Sequence, residues 1–173
     1  RVLIGFISLV VGFIHDAHLT WTNLLFNNYF FLGISLFAVV FVAIQYVAEA
    51  GWSTVLKRVP EAIMSFLPLT AIIMLLIVIA AVMHWNHIYH WLEPGIMDPN
   101  EPNYDKIIAG KEAYLNAPFF LIRSIVYVII WIYCARKLRQ LSIKGDLEGG
   151  IGERSFFKGL RVSGWFLVFF AIT

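Results

Sequence analysis

The sequence predicts an all-α, polytopic transmembrane helical bundle, and three observations predict it. Hydrophobic residues make up 60% of the 173-residue chain and charged residues only 14%, against about 45–50% and about 25% in a soluble domain. The apolar residues gather in runs almost free of charge: 2–14, 29–48, 62–83 and 119–135, with 165–172 opening another. The joints between these runs alternate between basic and acidic. A helix rises about 1.5 Å per residue, so roughly 20 apolar residues cross a hydrocarbon layer about 30 Å thick. About five spans are expected, at 2–14, 28–49, 61–84, 118–136 and 162–173, forming one membrane domain. Loops at 15–27 and 85–117 lie on one side and joints at 50–60 and 137–161 on the other.

The first run is short, and reads as a truncated or tilted span. The apolar part of a signal peptide is the alternative, but the run lacks a small-residue cleavage pattern and leads into His15-Asp16-Ala17-His18. For the second span, Gly51 is the expected helix stop, with Trp52 anchoring at the headgroups. Pro60 suits the first turn of the third, where Glu61 complements the positive end of the helix dipole. Pro68 falls inside that span and predicts a break at Ser65 and Phe66. Asn116-Ala117-Pro118 opens the fourth, and 145–152 reads as a Gly-rich linker. The last run is cut off at Thr173, so the sequence is expected to be a piece of a longer chain. No internal repeat is visible.

Charge sets the expected orientation. Lys57 and Arg58 occupy one joint; Arg136, Lys137, Arg139, Lys144, Arg154, Lys158 and Arg161 follow the fourth span. Two crossings separate these joints, so they share a side, and Arg1 joins them. The 85–117 loop carries Lys106 and Lys111 against Glu93, Asp98, Glu101, Asp105 and Glu112. Positive residues favour the cytoplasm, which makes the basic joints cytoplasmic and the acidic loop external.

Chemistry is sparse. There is no cysteine cluster for an iron–sulfur centre, no Gly-rich phosphate loop and no nucleophile elbow, so any redox centre belongs to another chain. The single cysteine, Cys134, implies no disulfide. The five histidines lie toward the expected external side. His84, His87 and His90 recur at i, i+3 and i+6 and could share a face. They read as interfacial residues, as proton collectors or as a metal site. Haem would need a facing ligand, and the spans 29–48 and 119–135 hold no histidine.

A second constellation pairs Gln45 with Glu49 and Glu61 with Ser65, each pair one helical turn apart on spans joined by a short connection. Ionisable groups at membrane depth are costly and mark pathways or cavities. A proton path through these four residues is one reading, with Asp16 and His84 on the opposite side. The other is interfacial pairing of the glutamates with Lys57 or Arg58. Arg123, the one cation inside an apolar span, either snorkels outward or binds an acidic partner or an anionic lipid.

Two long strings carry a family resemblance: FVAIQYVAEAGWSTVLKR at 41–58 and IAGKEAYLNAPFFLIRSIVYVIIW at 108–131. The loop HIYHWLEPGIMD at 87–98 and the segment 166–173 join them. The chain resembles, over nearly its whole length, the F-type (ActF) subunits of bacterial alternative complex III, within the NrfD/PsrC-like membrane proteins. That resemblance implies a multi-pass subunit of the bacterial cytoplasmic (inner) membrane in a quinol:electron-acceptor oxidoreductase. Such a subunit carries no cofactor, resembles the quinol-binding subunit beside it, and helps conduct protons. Haem c and iron–sulfur clusters are expected in the partners, namely iron–sulfur, multihaem cytochrome and quinol-binding membrane subunits. Lipid and the quinone pool complete the surroundings, with no nucleic acid. A stand-alone secondary transporter and a purely structural assembly subunit are the rival readings.

Overall fold

A computed structural model describes residues 2–147 and 153–173 of the chain. Arg1 and residues 148–152, the centre of the expected linker, lie outside the described residues. The described elements are all helical. In chain order they are α1 (Val2–His15), α2 (Ala17–Val47), α3 (Arg58–Met64), α4 (Leu67–Val82), α5 (Lys106–Ala109), α6 (Ala117–Leu147) and α7 (Glu153–Ile172), with short 3-10 turns at Gly51–Val55 and His90–Leu92. Four stretches are long and apolar enough to cross a membrane: Ala17–Val47, Arg58–Val82, Ala117–Leu147 and Ser155–Ile172. These are compatible with a multi-pass membrane protein. The first apolar run forms α1, whose 14 residues fall short of that length.

The chain divides into two compact units, residues 1–29 with 72–125 and residues 30–71 with 126–173. In the first, the expected loop at 15–27 is helix instead. Asp16 alone separates α1 from α2, and its side chain accepts from the Leu19 amide at 3.0 Å as an N-cap. The chain bends sharply there. A Cβ built on Gly12 would lie 2.8 Å from the Thr20 hydroxyl, although eight residues of straight helix would separate the two by about 12 Å. Phe13 packs edge-on against Trp21 at 5.1 Å. The polar residues that suggested a loop bond back to their own helix: Thr20, Thr22 and Asn27 each donate to the carbonyl four residues earlier.

The segment after α4 is ordered by its own contacts. Ile96 is 1% exposed, and its carbonyl accepts from the Asp105 amide at 2.9 Å. Asn103 donates to the Pro94 carbonyl. Asp105 caps α5 by accepting from the amides of Ile107 and Ile108.

In the second unit the core is made by α2 (Leu32, Leu36, Val39, Ala43), α3 and α4 (Met64, Leu67, Ala71), α6 (Val128, Ala135, Leu138) and α7 (Phe166). Small side chains let helices approach closely where apolar association gains nothing over lipid. Helix α7 shows this: Ser155, Gly159, Ser163 and Phe166 are its buried positions, and a Cβ on Gly159 would lie 2.6 Å from the ring of Tyr46. Ser155 and Gly159 extend this stripe toward the start of the helix, so α7 begins well before residue 162. Residues 145–147, read as linker, are the last turn of α6.

The span 58–82 breaks at Ser65 and Phe66, where Pro68 cannot donate a main-chain hydrogen bond. Ser65 and Phe66 donate instead to Ala62 and Ile63 in a tightened turn. The second helix does not stop at Gly51. Glu49 takes the left-handed conformation at φ 49°, the Ala50 amide reaches back to Gln45, and the Glu49 amide to Tyr46, a Schellman cap.

Candidate functional site

The second unit holds a cavity of about 640 Å³, and its walls come from the ends of α2, α3, α6 and α7 and from the 3-10 turn between α2 and α3. Gln45, Glu49 and Glu61, three of the four residues expected to form a constellation, line it. They differ in what surrounds them. Glu61, in the first turn of α3, has a side chain only 4% exposed, and its Oε2 accepts from Arg58 Nη1 at 2.6 Å. Gln45 has a buried Oε1 that receives no hydrogen bond. Glu49 is exposed, at the rim, as the cap residue of α2. Ser65 is also exposed; its hydroxyl donates to the Ala62 carbonyl at 2.6 Å. It serves the break in the span and is absent from the cavity wall.

Asp146, near the end of α6, completes the electrostatics. Its carboxylate accepts from Lys57 Nζ at 2.6 Å and also from Arg58. The basic joint after α2 and the end of α6 therefore meet at one end of this unit. Burial lowers the pKa of Lys57; the Glu61 carboxylate works against this and the Arg58 guanidinium adds to it. The nearby Asp146 carboxylate favours the charged ammonium. The lining ion-pair network is Lys57–Asp146–Arg58–Glu61, two cations against two carboxylates. Reading the sequence alone, Asp146 passed as part of a linker, because Gly145, Gly149 and Gly150 surround it. The usable signal was the first acid to follow the basic run from Arg136 to Lys144. Tyr46 was also missed: half-buried, its ring lies tilted at 38° to that of Phe156 with centroids 6.0 Å apart, and it packs on Gly159.

The remaining candidates lie in the first unit. Asp16 is the exposed N-cap of α2. His84 sits at φ 58°, where the Trp85 amide bonds to Ala80 and the His84 amide to Ala81, the same cap that Glu49 makes. Because α4 ends at Val82, His84, His87 and His90 do not share a helical face. His90 pairs with Glu93 at 3.0 Å. No group of three or more His, Cys, Asp or Glu side chains is gathered to hold a metal ion among the described residues. Burial holds the Tyr89 phenol above its ordinary pKa, so it stays neutral.

Arg123 does not snorkel freely. Its guanidinium lies over the Tyr114 ring at 4.0 Å, with Phe119 at 5.3 Å and Phe120 at 5.7 Å. Its Nη1 is buried and finds no acceptor. No protein-family model matches the chain, and no curated protein does so either.

Proposed function

We propose that this chain is a cofactor-free integral membrane subunit of a quinol:electron-acceptor oxidoreductase of the alternative complex III kind. In this reading it scaffolds the complex in the bacterial cytoplasmic membrane, beside partners that carry haem c and iron–sulfur clusters. It also takes protons from the cytoplasm through the 640 Å³ cavity to Glu61. One observation carries the proton path: a carboxylate 4% exposed on the wall of a cavity large enough for several waters. Buried ionisable groups in membrane helices mark such paths. Gln45, with an acceptor that lacks a donor on the same wall, supplies a place for bridging water. The resemblance supports the rest, and its 41–58 string supplies much of the cavity lining.

The ion pairs among Lys57, Arg58, Glu61 and Asp146 favour a second reading, in which this cluster is only a clasp between the α2–α3 joint and α6. One experiment separates the two. The complex, purified with its haem- and iron–sulfur-bearing partners and reconstituted in vesicles, is assayed for proton movement and electron transfer together. Glu61→Gln should assemble and oxidise quinol while moving fewer protons per electron. An unchanged ratio in an assembled complex removes Glu61 from the path and leaves the clasp. Purification of the chain alone, without haem or iron–sulfur partners, would remove the complex from the reading.

A further inference from the structure

Arg123 poses a chemical question that the chain does not answer by itself. It lies six residues into α6, about 9 Å from the helix start at 1.5 Å per residue. A guanidinium keeps its charge at every accessible pH and offers five donors in a planar fork. Taken out of water, it needs an anion or a set of acceptors. Here the aromatic faces of Tyr114, Phe119 and Phe120 supply a cation–π environment. They supply no oxygen for its N–H groups: Nη1 is buried without an acceptor, and no described carboxylate forms an ion pair with it.

We propose that Arg123 binds the phosphate of a membrane phospholipid, with Tyr114, Phe119 and Phe120 forming the wall around it. Three features favour a lipid over a carboxylate from a neighbouring protein. Helical side chains lean toward the N-terminus of their helix, so from this depth Arg123 points back toward the membrane surface where α6 begins. Tyr114 and Phe119 are exposed there, as aromatic residues at the headgroup level are. Phosphates surround a membrane protein at that level, and a forked guanidinium takes two phosphate oxygens at once. Beside Arg123, Ile122 is 61% exposed and Phe119 43% exposed, which gives the glycerol and upper acyl carbons an apolar surface to lie on. The inference needs only that α6 spans a membrane and is independent of any proton path through Glu61.

The test uses the extracted, delipidated complex or full-length protein titrated with dioleoylphosphatidylglycerol, bound lipid being counted by native mass spectrometry. Wild type should hold one phospholipid more tightly than the Arg123→Gln variant does, by about tenfold or more, as expected for loss of a charge-assisted bidentate contact. Phosphatidylcholine should compete, since it carries the same phosphodiester; dioleoylglycerol should not. Equal retention by wild type and variant overturns the proposal. Release of the lipid by millimolar inorganic phosphate overturns it in favour of a free-anion site. Should Arg123→Gln fail to assemble, two measurements keep the question open to refutation. Arg123→Lys keeps the charge but loses the fork, and should weaken retention while preserving the order of lipids. A photoreactive benzoylphenylalanine in place of Ile122, with Arg123 intact, should crosslink to lipid in membranes. A crosslink to a neighbouring protein instead assigns Arg123 to a carboxylate partner.

Discussion

Glu61 and Arg123 are both ionisable groups carried on apolar helices, and they are held in opposite ways. Glu61 meets Arg58 at 2.6 Å, and Arg58 in turn reaches Asp146, which also holds Lys57. Arg123 meets three aromatic faces and no counter-charge. Among the described residues, the chain supplies Glu61 with a counter-charge and supplies none to Arg123. Local sequence marks part of the difference, since Arg58 stands three residues before Glu61 on the same helix whereas Arg123 has no acid within a turn. What local sequence does not mark is the acid that completes the network, Asp146, 88 positions away from Arg58.

Removing Arg58, the cation beside Glu61, and removing Arg123 should therefore have unequal effects on stability. Arg58→Ala leaves Glu61 buried without its cation, and breaking a buried pair from one side costs about 3 kcal/mol or more. The half-exposure of Arg58 places the expected loss at the low end. Arg123→Met removes a charge that the chain does not pair, so in delipidated detergent it should leave stability unchanged or raise it. Thermal unfolding of both variants in one detergent checks this, and a larger loss for Arg123→Met would reverse the contrast.

The two caps give a smaller effect that the units should share. Glu49 and His84 both hold left-handed backbone at a helix end. An L side chain there carries roughly 1 kcal/mol of penalty, which glycine relieves at some cost in unfolded-chain entropy. Glu49→Gly and His84→Gly should each gain about 0.5 kcal/mol net, measured by the same unfolding. Glu49→Gly should also leave the proton-to-electron ratio unchanged, because the side chain is an exposed cap at the rim. A small loss, less than about 1 kcal/mol, is expected for Lys57→Ala, because Asp146 keeps Arg58 and the pair is partly exposed. A loss as large as that of Arg58→Ala would mean that the network acts as one unit.

The long apolar runs and the break at Ser65 and Phe66 were legible because they follow from hydrophobicity and from the missing proline N–H. The bend at Asp16 was not. Thr20, Thr22 and Asn27 look like loop residues in a list, yet each satisfies its side chain on its own helix. Gly51 looked like the cap of α2, while the chain places Glu49 there and starts a 3-10 turn at Gly51. For the site, Gln45, Glu49 and Glu61, singled out by their spacing, all stand on the cavity wall. Their separate fates depended on Asp146, Tyr46 and Gly159, whose contacts are long-range and leave no periodic trace.

The interruption between α3 and α4 has a mechanical consequence. Helix α3 is seven residues long, below the length at which a helix sustains itself, and it carries both Arg58 and Glu61. The main-chain bonds that follow it run from Ser65 to Ala62 and from Phe66 to Ile63, a tighter turn than the helix on either side. The Arg58–Asp146 link therefore fastens this short segment to the end of α6 as well as to its own span.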